Sequence, residues 1–177
     1  MKNIKKELEI QIRIAAANDA FSIETLMLEA FSEFNSVYTK EAFDATAIKS
    51  AEILERMNEG PLWVAILNGK IIGTVSAVHK ESSLYIRGMA VHTEERGRRV
   101  GEMLLIEAEK YAAANNCSRL FLGTTRYLES AIRLYERMGY RRLEELEDFF
   151  EMPLIIMEKF LNKEKFRIKE RDRGRML

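Results

Sequence analysis

The chain is predicted to fold as a single α/β domain, in which helices cover both faces of a mixed β-sheet. Its 177 residues are 47% apolar, which is enough for one sizeable core. The first half contains apolar strand patterns around Asn68-Gly69, a dipeptide typical of tight hairpin turns. The second half alternates helical and strand patterns, which indicates crossover connections between parallel strands.

The first half of the chain predicts one strand, two helices and then three strands. Alternating apolar and polar residues indicate the first strand, and Asn18 or Asp19 is a suitable cap for the first helix. Gly60-Pro61 ends the second helix. The predicted elements are a strand at 8–14, helices at 19–31 and 40–57, and strands at 62–67, 70–78 and 84–91.

The second half predicts two crossover helices and three strands. Gly139 ends the second of these helices, and Pro153 is expected at a strand start or a bulge because it donates no ladder hydrogen bond. The predicted elements are a helix from Val100 to Asn115, a strand at 119–122, a helix at 128–138 and strands at 140–146 and 152–161. The order β-α-α-β-β-β-α-β-α-β-β predicts a three-layer domain on a mixed sheet (α+β mixed sheet).

The domain is expected to cover residues 1–161, followed by a charged tail at 162–177. That tail carries seven Lys or Arg and three acidic residues, so it is either a solvated tail or a helix that binds a partner. A homodimer is compatible with the sequence, formed through an exposed last strand or through this tail.

Composition and charge argue against several classes of protein. Lys plus Arg and Asp plus Glu are both 28, and a dedicated nucleic-acid binder is usually strongly basic. No apolar run reaches about 18 residues and no secretory signal is evident, so we expect a cytoplasmic protein without a membrane span. Cys117 is the only cysteine, and with His79 and His92 it shows no zinc-site spacing.

The most informative segment is the turn Arg96–Gly101, which lies between the end of a strand and the start of a helix. The first amides of a helix have no partner within the helix, and the helix dipole places partial positive charge there. Glycines allow close approach to an anion, and guanidinium groups add paired donors. The segment therefore predicts either a phosphate-binding loop or a solvated surface turn.

Three segments together resemble the GNAT superfamily of N-acetyltransferases over about residues 10–161. They are Met89-Ala90-Val91, the Arg96-Gly-Arg-Arg-Val-Gly101 turn and the segment Ser130-Ala-Ile-Arg-Leu-Tyr-Glu-Arg-Met-Gly-Tyr140. The family's turn is Gln/Arg-x-x-Gly-x-Gly/Ala, and its downstream segment is Ala-x-x-x-Tyr-x-x-x-Gly-Phe/Tyr. The chain departs from the pattern at Arg99, where the family has glycine, and at Leu128, where many members have asparagine. Arg99 either hinders the backbone approach or adds a phosphate contact.

The resemblance implies an acyl-CoA-dependent enzyme that moves an acetyl group from acetyl-CoA to a primary amine by direct attack, without a metal. By the same resemblance, the strand end and the turn hold the pantetheine and the pyrophosphate. The residues implied for coenzyme binding are Met89, Ala90, Val91, Arg96, Gly97, Arg98, Arg99, Val100, Gly101, Glu102, Leu128 and Ala131.

The resemblance also implies that Tyr135 donates a proton to the departing sulfur; the alternative is a core tyrosine with a structural role. The general base is harder to assign, because the strand at 84–89 lacks the carboxylate that many family members have there. Glu81 and His79 are candidates for this role. Glu33, or Tyr85 through a chain of water molecules, are further candidates.

The acceptor is expected to be a small cationic metabolite, an amino acid or a protein amine. Between Glu29 and Glu59 seven acidic residues face three basic ones, which predicts either an acidic wall that attracts a cationic amine or a solvated helix surface. The expected acceptor-binding residues are Glu33, Tyr38 and Tyr85. Two rival hypotheses are a catalytically inactive CoA-binding regulatory module and a similar fold that binds another phosphate ligand.

Overall fold

The computed structural model describes residues 9–161, except for the side chain of Glu145, and they form a seven-stranded sheet with helices on both faces. None of the helices in this part of the chain is long and apolar enough to cross a bilayer. Short 3₁₀ turns occur at Ala17–Asp19, Ser32–Phe34 and Thr93–Glu95. The elements are β1 (Gln11–Ile14), α1 (Ala20–Phe31), α2 (Lys40–Thr46), α3 (Ser50–Glu59), β2 (Leu62–Leu67), β3 (Lys70–Lys80), β4 (Ser83–Val91), α4 (Val100–Ala114), β5 (Arg119–Thr124), α5 (Glu129–Arg137), β6 (Arg141–Phe149) and β7 (Met152–Phe160).

The sheet is mixed, and its strand order is β1-β2-β3-β4-β5-β7-β6. The first four strands form an antiparallel meander, β4 and β5 are parallel, and β7 is antiparallel to both β5 and β6. The parallel pair needs a crossover, which α4 supplies. The predicted α/β fold on a mixed sheet is therefore confirmed.

The single helix predicted at 40–57 is wrong, because this segment forms two helices. Thr39 caps α2 by accepting a hydrogen bond from the Ala42 amide at 3.2 Å. Ala47, at ψ 64°, leaves the helical conformation. Glu24 of α1 then accepts hydrogen bonds from the amide and hydroxyl of Ser50 at 2.8 and 2.5 Å, which fixes the start of α3. This last contact is tertiary, so local periodicity does not reveal it.

The expectation of an exposed last strand is also wrong. β7 lies between β5 and β6, so β6 is the edge strand. After α5 the chain crosses to the outside of the sheet, and a hairpin returns β7 into the gap beside β5. Dimerisation stays a prediction. Leu8 and the tail at 162–177 lie outside the described residues.

Alternate residues of β2 separate the two layers of the core. Leu62 and Val64 lie on the sheet face that packs against α1 and α3. Trp63, Ala65 and Leu67 lie on the opposite face, which packs against α4. Such strands are apolar on both faces because helices cover both sides of the sheet. The α4 side of the core also receives Ile132 and Tyr135 of α5.

A buried carboxylate joins three strands at the β6 side of the sheet. Glu158 on β7 is 5% exposed and accepts hydrogen bonds from Arg119 on β5 at 2.7 Å and from Arg141 on β6 at 2.8 Å. Burial by itself raises the pKa of Glu158, but the two arginines outweigh this, and the net pKa is lowered. A lowered pKa means that this stabilisation is present above the usual carboxyl pKa and is lost as the pH falls through the folded value.

Glu158→Gln is expected to lower the free energy of unfolding by about 2 kcal/mol at neutral pH, because hydrogen bonds to charged groups contribute roughly 1.5–3 kcal/mol. Urea unfolding followed by circular dichroism measures it. The control is Glu107→Gln, which removes an exposed ion pair to Lys110 and should change stability by less than about 0.5 kcal/mol. Equal effects of the two variants would contradict the role of Glu158.

Candidate active site

The centre of the candidate active site is a β-bulge in β4. Ser76 of β3 pairs with Arg87 and Thr74 pairs with Ala90, so Val75 alone opposes Gly88 and Met89. Gly88 has φ +59°, a conformation that glycine adopts without steric cost. The bulge exchanges the two faces of the strand: Leu84 and Ile86 belong to the α4 side of the core, whereas beyond the bulge Ala90 belongs to the α1 side.

Beyond the bulge, β4 also separates from β5. The parallel pairing of these strands ends at Ile86 with Leu122, although β5 continues to pair with β7 as far as Thr124. The end of β4 therefore has no strand partner on the β5 side. The opening between the two strands contains two clefts that meet at the bulge.

The first cleft has a volume of about 620 Å³ and lies between the end of β4, the start of α4 and α5. It contains eleven of the twelve residues predicted to bind the coenzyme; the exception is Arg98, which lies outside the lining. The predicted residues that line it are Met89, Ala90, Val91, Arg96, Gly97, Arg99, Val100, Gly101, Glu102, Leu128 and Ala131.

The start of α4 offers unpaired amides to this cleft. The first intrahelical hydrogen bond is donated by Met103 to Arg99 O at 3.0 Å. The amides of Val100, Gly101 and Glu102 have no acceptor among residues 9–161. Arg99 stands in the left-handed region at φ 64° immediately before the helix. The backbone thus has the form of an anion-binding helix start even though arginine replaces the family's glycine.

The arginines of the turn differ in what they contact. Arg96 donates to Ala30 O at 3.1 Å and pairs with Glu33 at 2.5 Å, which ties the turn to the end of α1. Arg98 pairs with Glu95, and Arg99 pairs with Glu102, both at 2.5 Å. Arg99 therefore lines the cleft as an ion-paired, largely exposed side chain and not as an unpaired cation.

The wall opposite the turn is formed by α5, which packs closely on α4. A methyl group on Gly101 would lie 2.8 Å from Cδ2 of Leu134, so a larger residue would require the Leu134 side chain to move. This proximity brings Leu128 and Ala131 to the first cleft. Leu128 precedes α5 and offers no side-chain hydrogen bond, as the sequence indicates.

The second cleft has a volume of about 290 Å³ and lies on the other side of the bulge. Tyr38 and Tyr85, both predicted to bind the acceptor, line it. The Tyr38 hydroxyl is 3.0 Å from Oγ1 of Thr125, and the Tyr85 ring lies 5.0 Å from that of Phe121. Burial raises the pKa of both tyrosines, so both phenols stay protonated at neutral pH.

Tyr135 lies where the two clefts meet, and Phe31, Met89 and Leu128 also line both. The Tyr135 side chain is 6% exposed and its hydroxyl makes no hydrogen bond to residues 9–161. Burial, together with the nearby Tyr38, raises the pKa of Tyr135 well above its usual value. A phenol with a raised pKa remains a proton donor across the physiological range.

His79 and Glu81 are not part of this site, so their assignment as general bases is wrong. They lie at the far end of the β3–β4 hairpin, where His79 contacts the Tyr111 hydroxyl at 3.2 Å and Cys117 at 3.6 Å. Eight residues of extended chain separate Glu81 from Met89, which corresponds to roughly 25 Å. Neither residue lines either cleft.

Of the two alternatives for the acidic residues between Glu29 and Glu59, an acidic wall is not found in the lining of the second cleft. Glu33 lines the first cleft, not the second, and pairs with Arg96. Among the described residues, the charged ones that line the second cleft are Arg56 and Arg87. Neither arginine was predicted from the sequence as a site residue. The position of Arg87, a basic residue inside an otherwise uncharged strand, could have indicated it.

The residues of the first cleft fit coenzyme A. Unpaired amides at a helix start suit a pyrophosphate, and the apolar residues Met89, Val91 and Leu128 suit the pantetheine. Within residues 9–161 there is no cluster of three or more His, Cys, Asp or Glu that could hold a metal ion.

Comparison with known proteins agrees with this geometry. Residues 23–140 match the acetyltransferase (GNAT) family. That match covers two thirds of the chain and contains both the bulge and the start of α4. The chain therefore belongs to the GNAT family of acyl-CoA-dependent acetyltransferases.

The most informative curated relatives are N-acetylaspartate synthetases. The chain is 37% identical over 89 residues to the one from Danio rerio, covering 49% of this chain and 32% of the relative. It is 34% identical over 83 residues to the one from Homo sapiens, covering 46% and 28% respectively. The chain thus spans about a third of the length of the curated relatives it matches.

Solved structures show the same fold at low sequence identity. The PaiA N-acetyltransferase from Thermoplasma acidophilum, in complex with coenzyme A, has a TM-score of 0.74 at 18% identity, covering 87% of this chain and all of that one. The ribosomal-protein-S18-alanine N-acetyltransferase from Escherichia coli has a TM-score of 0.69 at 14% identity, covering 87% and 95%. These likenesses confirm the architecture.

Arg96→Gln is expected to weaken coenzyme A binding about tenfold, because the turn loses its tie to α1 and a cation beside the cleft; a tenfold change is about 1.4 kcal/mol. Isothermal titration calorimetry with coenzyme A measures it. Arg98→Gln is the matched control: this arginine is in the same turn but outside the lining, and it should change the affinity less than about twofold. Equal losses would argue against a specific role for Arg96.

Proposed function

We propose that this protein is an acetyl-CoA-dependent N-acetyltransferase that acetylates the amine of an amino acid. The observation that carries the proposal is the meeting of two clefts at the β4 bulge, with Tyr135 lining both. Such a layout allows a donor and an acceptor to approach one point from opposite sides. Holding both reactants at that point raises their effective concentration, which supplies much of the rate acceleration in reactions between two substrates.

The start of α4 would hold the coenzyme, through the amides of Val100, Gly101 and Glu102, and Arg96 would hold the turn in place. When bound, acetyl-CoA supplies an activated acetyl group to the reaction. The chain's own task is to orient that group at the bulge. There the absence of a β5 partner leaves β4 backbone groups available as hydrogen-bond donors and acceptors.

Tyr135 is proposed to donate a proton to the leaving sulfur. Tyr135 lines both clefts, and its raised pKa keeps the phenol protonated while the reaction proceeds. The sulfur leaves more readily when it gains a proton as the carbon–sulfur bond breaks, because it then departs as a neutral thiol. The same hydroxyl makes no hydrogen bond to residues 9–161, so it is free to serve this role.

The acceptor amine is proposed to lose its proton to water. Among the described residues no histidine or carboxylate lines the second cleft, and Tyr85 has a raised pKa that makes it a poor base. An amino acid acceptor is supported by the small volume of the second cleft and by the similarity to N-acetylaspartate synthetases.

Tyr135→Phe is expected to lower kcat about 100-fold, which is within the range of general acid catalysis, and to leave coenzyme A affinity within about threefold. Release of free thiol from acetyl-CoA measures turnover, and calorimetry measures binding. Tyr140→Phe is the control, because Tyr140 is also a buried tyrosine, with its ring 5.9 Å from that of Tyr135, and does not line either cleft. An unchanged rate in Tyr135→Phe would remove this residue from the mechanism.

The pH profile tests the absence of a protein base. With water as the acceptor of the proton, kcat/KM should rise as the pH approaches the pKa of the acceptor amine. It should show no inflection near pH ~6.5, where histidine titrates. Tyr135 should cause no fall in rate below pH ~10, because its pKa is raised from that ordinary value. A histidine-like inflection would contradict the water path.

A further inference from the structure

The second cleft carries two guanidinium groups that the proposed chemistry does not use. Arg56 projects from α3 and Arg87 from β4, and no other charged residue lines the cleft. Among the described residues its lining therefore has two positive charges and no negative one, although Glu59 pairs with Arg87 and Glu147 lies near enough to Tyr85 to raise the pKa of that phenol. Both arginines are partly buried, so solvent screens these charges less than it would on an open surface.

Arg56 lies directly on the bulge. A methyl group on Gly88 would be 2.7 Å from Nη1 of Arg56, so this guanidinium rests against the backbone at the meeting point of the two clefts. The Arg56 side chain has no hydrogen bond and no ion pair with any group that the structure describes, and its nearest charge influence is that of Glu52 on the same helix. A cation is thus held beside the place where the acceptor amine must react.

Arg87 is also incompletely satisfied. The carboxylate of Glu59 forms an ion pair with its Nη2, but not with hydrogen-bond geometry, and Glu59 is half exposed. Four buried side-chain polar atoms lack a hydrogen-bond partner among residues 9–161, and three of them are Nε and Nη2 of Arg87 and Oγ1 of Thr124. All three belong to residues that line the second cleft.

This arrangement costs free energy unless an anion binds. Burial lowers the pKa of both arginines, and the charge of Arg56 lowers that of Arg87 further. Arginine nevertheless stays protonated, so Arg56, which has no described ion pair, lies beside Arg87, whose Nε has no hydrogen-bond partner and whose single ion pair is to the half-exposed Glu59. A carboxylate matches the paired donors of a guanidinium and would satisfy donors that are otherwise buried without partners.

We propose that Arg56 and Arg87 form the subsite that binds the carboxylates of the acceptor, and that the acceptor is therefore an acidic amino acid. This inference rests on the proposed function. In an amino acid the amine is two bonds from the α-carboxylate carbon, so a carboxylate held by Arg56 keeps the amine beside the bulge. A second carboxylate gives the acceptor the net negative charge that complements two arginines.

The inference excludes the cationic acceptors that the acidic helices suggested. A diamine or polyamine entering this cleft would approach two guanidinium groups without any carboxylate in the lining. Like charges at this range disfavour binding, and burial strengthens the effect. The two arginines are thus specificity-determining residues, distinct from the proton donor Tyr135.

The first experiment uses the unmodified protein. Thiol release from acetyl-CoA is measured with aspartate, glutamate, alanine, lysine and putrescine, and the acidic amino acids are expected to have the highest kcat/KM by at least about tenfold, as for one charged contact. Succinate, a dicarboxylate without an amine, should inhibit competitively against the acidic amino acid. Putrescine, with the same number of carbons and the opposite charge, should not inhibit.

The second experiment uses Arg56→Met and Arg87→Met, which keep a long side chain without the charge. Each is expected to raise KM for the acidic amino acid about 10–100-fold and to abolish succinate inhibition, while coenzyme A affinity and Tm stay near those of the unmodified protein. Arg56→Lys should recover part of the lost affinity. Arg142→Met, an exposed arginine of β6 paired with Glu136, is the matched control.

The outcomes separate this inference from the proposed function. If alanine, lysine or putrescine is acetylated as well as the acidic amino acids are, or better, the carboxylate subsite is wrong and the N-acetyltransferase assignment stands. If neither aspartate nor glutamate is acetylated, the proposed carboxylate subsite is also wrong. Failure of coenzyme A to bind overturns the proposed function itself. Should a variant not fold, succinate competition in the unmodified protein still decides the inference.

Discussion

The separation of β4 from β5 is the constraint on which the rest of the site depends. Parallel pairing stops at Ile86 and Leu122, and the bulge at Gly88 turns the remaining residues of β4 so that their faces exchange. The sheet therefore opens in its middle, where backbone groups would otherwise be paired. Two clefts form on either side of that opening, and their common wall includes Met89 and Tyr135.

The two clefts use arginine in opposite ways. Around the first cleft, Arg96, Arg98 and Arg99 each pair with a glutamate, so the unpaired donors are the amides that begin α4. Around the second cleft, Arg56 has no hydrogen bond or ion pair among the described groups, and Arg87 pairs with Glu59 but leaves its buried Nε without a partner. The conspicuous arginine turn therefore acts mainly through its backbone, whereas two inconspicuous arginines offer unfilled side-chain donors.

The family likeness covers this site unevenly. The matched residues 23–140 include the bulge, the start of α4, Tyr135 and both cleft arginines. The outer wall of the second cleft, at Phe149 and Leu154, comes from β6 and β7 and lies beyond the match. Part of the wall of the second cleft therefore comes from residues outside the segment that defines the family, and one fold is known to serve different ligands through such differences.

The sequence by itself determined the order of the elements apart from the division of the second helix, the hairpin at Asn68-Gly69 and most of the first cleft, because each of these depends on local signals. Turn residues, strand periodicity and the glycine–arginine turn at a helix start act over a few residues. Contiguous residues at the end of β4 and the start of α4 then had to be neighbours in space. Nine of the ten residues predicted there line one cleft.

Only the tertiary structure decided the second cleft. The split into α2 and α3 depends on Glu24, 26 residues from Ser50, and the insertion of β7 beside β5 depends on a long-range pairing. Arg56 and Arg87 lie 31 positions apart and meet only because α3 packs beside the bulge. His79 and Glu81 are near β4 in sequence but at its far end in space. Proximity in a sheet is set by register and strand direction, which residue spacing alone does not specify.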